Sequence, residues 1–184
     1  MGCKNTIIPN SVTTIGSYSF HGCSGLKKIS IPNSVTTIDY DAFYGCTGLT
    51  SITIPASVKT INSYAFYNCT GITQVISMRT TPPTLNYRAL ETSYSRAVLR
   101  VPNEALAAYQ TSENWKQFTR IVPFIGAGPG DVDGDGVINV QDVTSLTDML
   151  LNGEELPPYI DVDGDGEVNV KDITELIDLL VNAD

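Results

Sequence analysis

Apolar positions recur with a fixed period along the first part of the chain. The segment Ile8-Pro-Asn-Ser-Val-Thr-Thr-Ile restarts at Ile31 and again, with two changes, at Ile54, so the period is 23 residues. One copy is too short to bury an apolar face of its own, whereas stacked copies bury a shared face. The pattern therefore predicts a solenoid with columns of equivalent core residues. These columns are Ile8/Ile31/Ile54, Val12/Val35/Val58, Ile15/Ile38/Ile61, Phe20/Phe43/Phe66, Leu26/Leu49/Ile72 and Ile29/Ile52/Val75.

Each repeat predicts two extended segments and a turn. Leu26-x-x-Ile29-x-Ile31 is typical of a strand that ends at Pro32. The Ser-Val-x-x-Ile segment that follows is also predicted to be extended, and the turn after it carries Ala42-Phe43 or Ala65-Phe66. The phrase I-P-x-S-V-x-x-I-x-x-x-A-F-x-x-C-x-x-L closely resembles the BspA-like leucine-rich-repeat family. That resemblance implies a mixed α/β solenoid with short parallel strands and 23-residue repeats over residues 1–125.

The period breaks at Ser77, where a terminal cap is expected. A Thr-Pro-Pro-Thr-Leu turn, a strand ending in Val101-Pro102, and short helices with Tyr109 and Trp115 resemble the C-terminal cap of BspA-like proteins. A solenoid needs an atypical last repeat to cover its open core. We therefore expect a cap from about residue 77, with Trp115 as a core plug. Residues 126–130, Gly-Ala-Gly-Pro-Gly, predict a linker.

Two sets of solenoid residues are candidates for ligand binding. In leucine-rich repeats the exposed strand face is the usual binding surface, although its residues can equally be solubilising. A second column, His21, Tyr44 and Tyr67, follows the core phenylalanines and either binds a sugar or partner side chain or packs on itself. The predicted strand face consists of Lys27, Lys28, Ser30, Thr50, Ser51, Thr53, Thr73, Gln74 and Ile76.

The cysteines follow the same period. Cys23, Cys46 and Cys69 share one column, and Cys3 fills the same place in a shortened first copy. Buried cysteine packs as a small apolar residue, so we predict a ladder of free thiols in the core. A bridge between neighbouring coils, about 4.8 Å apart, is not sterically excluded. The chain has one histidine and no Cys-x-x-Cys, which disfavours a metal cluster at these cysteines.

A second repeated motif begins after the linker. Asp131-Val-Asp-Gly-Asp-Gly-Val-Ile-Asn-Val-Gln-Asp142 returns 30 residues later, starting at Asp161. Both copies match a calcium loop, which supplies oxygen ligands from positions 1, 3, 5, 7, 9 and 12. Apolar stripes after each loop predict two helices, with Gly153 ending the first; the stripes are Val143/Leu146/Met149/Leu150 and Ile173/Leu176/Ile177/Leu180. The predicted ligands of two Ca²⁺ ions are Asp131, Asp133, Asp135, Val137 (carbonyl), Asn139 and Asp142, then Asp161, Asp163, Asp165, Glu167 (carbonyl), Asn169 and Asp172.

Two half EF-hands with aspartate at position 12 closely resemble a type I dockerin over residues 131–184. The resemblance implies an α-helical calcium-binding module that attaches its chain to a cohesin-type protein, in two near-equivalent orientations. In the family, loop positions 10 and 11 help to choose the cohesin; here they are Val140, Gln141, Val170 and Lys171. The Ser/Thr pair common in cellulosomal dockerins is absent, and a module that merely folds around calcium is the alternative.

Charge and hydropathy exclude some partners. Residues 131–184 have a net charge of −14 and residues 1–130 have +5, so nucleic acid is not expected on the acidic module. No apolar run approaches the length of a membrane span. No signal peptide is recognisable. We expect the chain to be the C-terminal part of a longer protein whose missing part holds the export signal, and an extracellular or bacterial cell-surface location.

The residues give little support for the hypothesis that this chain is an enzyme. Outside the calcium module the acids are Asp39, Asp41, Glu91, Glu104 and Glu113, and none forms a recognisable catalytic pair. We therefore expect a non-catalytic secreted or cell-surface interaction protein whose solenoid binds a protein or glycan and whose dockerin tethers it. A fragment of a larger dockerin-bearing polysaccharide-degrading enzyme and a purely structural spacer are the alternatives.

Overall fold

The computed structural model describes residues 6–123, 130–132, 138–153, 160–165 and 167–182. The chain divides into two compact units, Met1–Pro123 and Phe124–Asp184. The first is a solenoid of short parallel strands and the second contains two helices that follow acidic loops. Of the predicted linker, residues 126–129 lie outside the described residues, as do Cys3, Asp133, Asp135 and Val137.

One sheet of the solenoid is built from the Ser-Val-x-x-Ile segments. Its strands are β1 (Thr14–Ile15), β2 (Thr37–Ile38), β4 (Thr60–Ile61) and β6 (Thr84–Leu85), in that order and all parallel. Ile15 pairs with Ile38 and Ile38 with Ile61, so equivalent residues of successive repeats are neighbours. The serine of the motif also joins the coils, since Ser57 Oγ donates a hydrogen bond of 2.7 Å to the Val35 carbonyl.

The second sheet is built from the other extended segment of each repeat, the one that precedes the proline. Its strands are β3 (Ser51–Ile54), β5 (Gln74–Ser77), β7 (Val98–Val101) and β8 (Ile121–Pro123), again in parallel order. Ile52 pairs with Val75 and Val75 with Leu99, which continues the core column into the cap. The expected fold class is thereby confirmed: a solenoid of short parallel strands stacked one repeat per coil.

Two details of the second sheet differ from the prediction. Residues 26–31 do not form a regular strand. A long backbone hydrogen bond of 3.4 Å, from Thr50 N–H to Lys27 O, joins them to the next coil. Ile76, predicted on the exposed face, is buried, since three successive residues of β5, Val75 to Ser77, are all buried and the strand does not alternate.

The core is a stack of identical side chains. Phe20, Phe43 and Phe66 lie with ring centroids 4.9 Å apart and ring planes within 3° of parallel. Phe43 and Phe66 are fully buried, and Phe20 is partly buried at the start of the stack. The columns predicted from the period therefore form the core, with Val12 also only partly buried.

Two glycines face the backbone of the preceding coil at close range. A Cβ on Gly48 would lie 2.3 Å from the Ser24 carbonyl oxygen, and one on Gly71 would lie 2.5 Å from the Thr47 carbonyl oxygen. Both contacts are with backbone, which cannot move aside. These positions therefore admit only glycine at the observed coil spacing.

The segment predicted to be the cap adds strands and short helical turns to the solenoid. After 3₁₀ turns at Glu91–Ser93 and Asn103–Ala105 come helix α1 (Leu106–Thr111) and a third 3₁₀ turn, Trp115–Gln117. Trp115 is fully buried, and its indole N–H donates to the Pro83 carbonyl at 2.8 Å. The prediction of Trp115 as a core plug is confirmed.

The cysteine column is partly corrected. Cys46 and Cys69 are buried free thiols whose Sγ atoms donate to the carbonyls of Phe20 and Phe43, at 3.1 and 3.0 Å. Contact with Cys46, together with burial, raises the pKa of Cys69. Cys23 forms a disulfide bond, and its bond partner lies outside the described residues. The ladder of thiols is therefore wrong at Cys23, where the close coil spacing permits a bridge.

The second unit packs two helices around a small core. Helix α2 (Val140–Asn152) and helix α3 (Val170–Val181) each begin directly after an acidic loop. Gly153 ends α2 in the left-handed conformation, with φ +64°, as predicted. Ile177 was expected in the apolar stripe of α3 but is 43% exposed. The core of this unit consists of Val132, Leu146, Ile160 and Leu176.

Candidate calcium-binding and docking site

The second acidic loop gathers three carboxylates. Oxygen atoms of Asp161, Asp163 and Asp165 all lie within 4.8 Å of one another, and the three residues are half-buried. Two ligands on opposite sides of a calcium ion are separated by about twice the Ca–O distance of roughly 2.4 Å. The carboxylate separations therefore suit a shared calcium ion, and carboxylates are the hard oxygen donors that calcium prefers.

Backbone hydrogen bonds shape this loop from within. Asp163 Oδ1 accepts from the Asp165 N–H at 2.9 Å, and Asp165 Oδ1 accepts from the Glu167 N–H at 2.9 Å. Each carboxylate thus holds the residue two positions later, as short acidic side chains do in tight turns. The side chains at positions 3 and 5 are consequently turned into the loop, where the sequence places metal ligands.

Position 12 of the second loop joins the two ends of the motif. Asp172 is fully buried. Its Oδ1 accepts from the N–H of Val162 at 2.7 Å and of Asp163 at 3.3 Å, and its Oδ2 accepts from the Asn169 N–H at 2.7 Å. Asn169 in turn caps α3 through its side chain, so the two residues form a capping box. The carboxylate therefore ties the beginning of the loop to the beginning of the helix.

The first loop repeats this arrangement in its described part. Asp142 is fully buried; its Oδ1 accepts from the Val132 N–H at 2.6 Å and its Oδ2 from the Asn139 N–H at 2.8 Å. Asn139 caps α2 in the same capping box. Asp131 is 2% exposed, whereas the predicted ligands Asp133, Asp135 and Val137 lie outside the described residues. Two equivalent loop–helix junctions are present.

The capping role of Asp142 and Asp172 is a feature that the analysis of metal-ligand spacing missed. Its signal is visible as Asn-x-x-Asp at the beginning of each helix, from Asn139 to Asp142 and from Asn169 to Asp172. This is the spacing of a capping box, in which the fourth residue returns a side chain to the first. The calcium-loop pattern accounts for the same residues as metal ligands, so it gives no separate indication of the capping box.

The four residues at loop positions 10 and 11 are all exposed at the helix beginnings. Val140 and Val170 are each 70% exposed, which is high for apolar side chains. Gln141 and Lys171 follow them, and here the two copies differ. Lys171 Nζ lies 3.2 Å from Asp165 Oδ2, and this hydrogen bond to Asp165 raises the pKa of Lys171.

The predicted strand face of the solenoid is partly exposed. Lys27, Lys28, Ser30, Thr50 and Thr73 are exposed, whereas Ser51, Thr53 and Gln74 are half-buried. Thr73 N–H donates to the Thr50 carbonyl at 2.9 Å, so this column follows the coil stacking. The aromatic column is also ordered by the repeat: His21 and Tyr44 stack with centroids 5.0 Å apart.

These features define the class of the protein: a parallel-strand repeat solenoid followed by a duplicated, acid-rich loop–helix module. A family model described as BspA type leucine rich repeat region matches residues 2–105 in six copies, and one described as dockerin type I domain matches residues 129–181. The chain therefore belongs to the BspA-type leucine-rich-repeat family and carries a type I dockerin domain. The two resemblances found in the sequence are confirmed.

The comparison with solved structures finds a leucine-rich repeat protein from Eubacterium ventriosum, with 26% sequence identity and a TM-score of 0.46. The match covers 68% of this chain and 34% of that chain, so the present chain spans about a third of that protein's length. Among curated proteins, none is detectably similar to this chain.

The domain types define the general activity. A type I dockerin is a calcium-binding domain that docks to a cohesin, and neither it nor a leucine-rich repeat is a catalytic domain. Both domain types are typical of extracellular or cell-surface proteins. Within the described residues, no helix has the length and apolar character needed to cross a membrane.

Proposed function

We propose that this chain is a non-catalytic secreted or cell-surface adaptor. Its dockerin, loaded with two Ca²⁺ ions, binds a cohesin-type partner, while its solenoid presents a binding surface for a protein or glycan. The observation that carries the proposal is the duplicated loop–helix junction: the same buried aspartate bonds the same two backbone positions in each copy. Duplicated loops of this kind imply two metal sites and two equivalent docking faces.

The residues that would hold calcium follow from the loop positions. In the second loop these are Asp161, Asp163, Asp165, Asn169 and Asp172, with the carbonyl of Glu167. In the first loop the equivalent residues are Asp131, Asp133, Asp135, Asn139 and Asp142, with the carbonyl of Val137. Bound calcium would offset the mutual repulsion of the clustered carboxylates and thereby hold each loop closed on its helix.

Calorimetric titration with calcium after chelator treatment tests the metal sites. We expect two sites per chain for the natural sequence and one for the Asp163→Ala variant, because Asp163 lies inside the carboxylate cluster of the second loop. Asp148→Ala removes the same charge from the exposed side of α2 and is the matched control, with two sites retained. One site, or none, in the natural chain would contradict the proposal.

The docking face contains Val140 and Val170, one at the beginning of each helix. Both are 70% exposed, and an apolar side chain so exposed is a favourable contact for a partner. Because the two copies are equivalent, either one alone supports binding in one orientation. Gln141 and Lys171 make the two orientations unequal, since one position is neutral and the other is charged.

Capture on immobilised cohesins tests this face. We expect Val140→Asp and Val170→Asp to retain binding singly and to lose it together. Val181→Asp, at an equally exposed apolar position near the end of α3, is the matched control. If either single substitution at a loop abolished binding, or if the double variant bound normally, the two-face proposal would be wrong.

A further inference from the structure

Three coils of the solenoid each expose a tyrosine on the same edge, and the tyrosine of a fourth coil, Tyr64, is half-buried there. Tyr18 and Tyr64 occupy one repeat position, and Tyr40 and Tyr87 occupy the position before it in the alternate coils. Tyr18, Tyr40 and Tyr87 are 61%, 51% and 62% exposed. The backbone joins them, because the Tyr18 N–H donates to the Tyr40 carbonyl at 3.1 Å and the Tyr64 N–H to the Tyr87 carbonyl at 3.1 Å.

These tyrosines belong to a continuous aromatic surface. The tyrosine band, as we call it, contains six of the chain's nine tyrosines. Ring contacts within and between coils, with centroid distances of 5.0 to 5.7 Å, link six of the seven band residues. The seventh, Tyr40, adjoins the band through its backbone hydrogen bond with Tyr18. The band consists of Tyr18, His21, Tyr40, Tyr44, Tyr64, Tyr67 and Tyr87.

The backbone under the band is strained where side chains are present. Tyr18 and Tyr64 both have φ +61°, and Arg88 at the equivalent position has φ +56°. Left-handed backbone is unfavourable for bulky residues and easy for glycine. Four residues after Tyr18 the same coil also turns left-handed, and there successive coils use Gly22, Gly45 and Asn68, which adopt this conformation more easily than tyrosine.

Core packing does not account for the tyrosines in this strained position. Tyr18 is more than half exposed, so its ring contributes little to the interior. Strained backbone that carries a side chain is found where that side chain has a function. The comparison with Gly22, Gly45 and Asn68 in the same turn therefore points to a role for the tyrosine rings at the surface.

The polar groups of the band are available for a ligand. Among the described residues, none of the band's tyrosine hydroxyls hydrogen-bonds to a protein group, in contrast to the buried Tyr109, whose hydroxyl lies 2.7 Å from Ser77 Oγ. Charge is balanced or negative: Arg88, above the ring of Tyr87, is paired with Glu91 at 3.2 Å, and Asp41 adds an acid. An anionic ligand is therefore disfavoured.

We propose that the tyrosine band binds a neutral polysaccharide chain laid along the solenoid axis. A sugar ring presents an apolar C–H face and a rim of hydroxyls, which match an aromatic ring with a phenolic hydroxyl. Aromatic rings on successive coils, at a coil spacing of about 4.8 Å, suit an extended ligand that makes repeated contacts. This inference rests on the proposed presenting role of the solenoid, and names its ligand class and its surface.

Affinity electrophoresis of the full chain in native gels tests the assignment. The gels contain a soluble β-glucan, arabinoxylan or galactomannan, and each is run with calcium and with chelator. We expect at least one polysaccharide to retard the chain under both conditions. The band contains no part of the dockerin. Calcium and cohesin binding are measured in separate assays, so their failure would not affect this result.

Variants locate the binding surface. Combined Tyr18→Ala, Tyr40→Ala and Tyr87→Ala should weaken retardation on the order of tenfold or more, as expected for removing aromatic contacts. The triple Tyr→Phe variant keeps the rings and should bind with intermediate strength. The matched control is Lys27→Ala, Ser30→Ala and Thr50→Ala on the strand face, with unchanged retardation. Equal urea midpoints by Trp115 fluorescence show that each variant is folded.

Three results would overturn the proposal. The first is no retardation by any of the three neutral polysaccharides. The second is retardation that the strand-face variant loses and the tyrosine variant keeps. The third is binding of a proline-rich peptide that the tyrosine variant abolishes, in the absence of polysaccharide binding, which would assign the band to a protein partner.

Discussion

Replacing Phe43 with alanine should destabilise the solenoid more than replacing either phenylalanine beside it. Phe43 is fully buried between two parallel rings, at 4.9 Å on each side. Phe66 is also fully buried but stacks on one ring, and Phe20 is partly buried with one ring beside it. The three residues therefore form a graded series at one repeat position.

The expected magnitudes follow from burial and ring contacts. Truncation of a buried phenylalanine costs about 3–5 kcal/mol of unfolding free energy. The second ring contact of Phe43 adds about 0.5–1.5 kcal/mol relative to Phe66, which is the value of an aromatic pair beyond burial. Phe20 retains solvent contact in the native state. Its truncation should therefore lower the free energy of unfolding by about half as much as truncation of Phe66.

Urea unfolding followed by Trp115 fluorescence measures the series. Trp115 is the only tryptophan and is buried in the cap, so its emission reports on the solenoid and not on the dockerin. With a denaturant slope of about 1–3 kcal/mol per molar urea, the Phe43→Ala midpoint should fall by about 2 M. Chelator is kept in all samples, so that calcium does not contribute.

The order of the three variants decides the test. A Phe66→Ala variant as unstable as Phe43→Ala would show that ring stacking adds nothing to burial. A Phe20→Ala variant as unstable as Phe43→Ala would contradict the partly open start of the stack. An unchanged midpoint for all three would mean that the cap unfolds independently of the coils. Neighbouring repeats of a solenoid are instead expected to stabilise one another.

Three further predictions concern the dockerin and the cap. Asp172→Ala removes the acceptor for three backbone N–H groups and should destabilise the module in chelator by about 3–5 kcal/mol, seen as lost helix by circular dichroism. Lys171→Gln should tighten calcium at the second loop about twofold to fivefold by calorimetry at low salt, because the lysine competes for Asp165. Burial raises the pKa of Tyr109 to about 12 from 10.0, so the solenoid should lose about 2–3 kcal/mol between pH 10 and 12.

Each of these has its own control. Asp172→Asn keeps one acceptor oxygen and should lose about half as much stability as Asp172→Ala. An equal loss of stability would contradict the role of both carboxylate oxygens as acceptors. Gln141→Lys is the reciprocal change in the first loop and should weaken that site. For Tyr109, the neutral form is favoured in the folded state, so stability is complete below pH 10 and falls as the pH rises. Tyr109→Phe should reduce that fall, and an unchanged pH profile would contradict the assignment.

The repeat period is sufficient to predict the core because equivalent residues have equivalent surroundings. Ile15, Ile38 and Ile61 are in register because each coil adds the same rise. Trp115 is predictable for a related reason, since the last coil exposes a core that a large apolar side chain must cover. The calcium loops are predictable because metal-ligand spacing is a local property of the chain.

What the period leaves open depends on contacts between coils. Residues 26–31 have the strand pattern of 51–54, yet a ladder needs backbone pairing that the pattern itself does not encode. Cys23 and Cys46 have the same place in the repeat but differ in bonding state, which a shared repeat position does not predict. The exposed tyrosines likewise alternate between two positions, so a search for one aromatic column finds His21, Tyr44 and Tyr67 and misses Tyr18, Tyr40, Tyr64 and Tyr87.

The glycine contacts between coils determine how such a protein changes its length. Gly48 and Gly71 hold neighbouring backbones too close for any side chain, so a turn cannot be widened at this point without breaking the stack. Whole coils, in contrast, can be added or removed without altering any contact geometry, at about 4.8 Å each. Gene segments encoding 23 residues are thus interchangeable units, and the length of the solenoid changes in discrete steps of one coil.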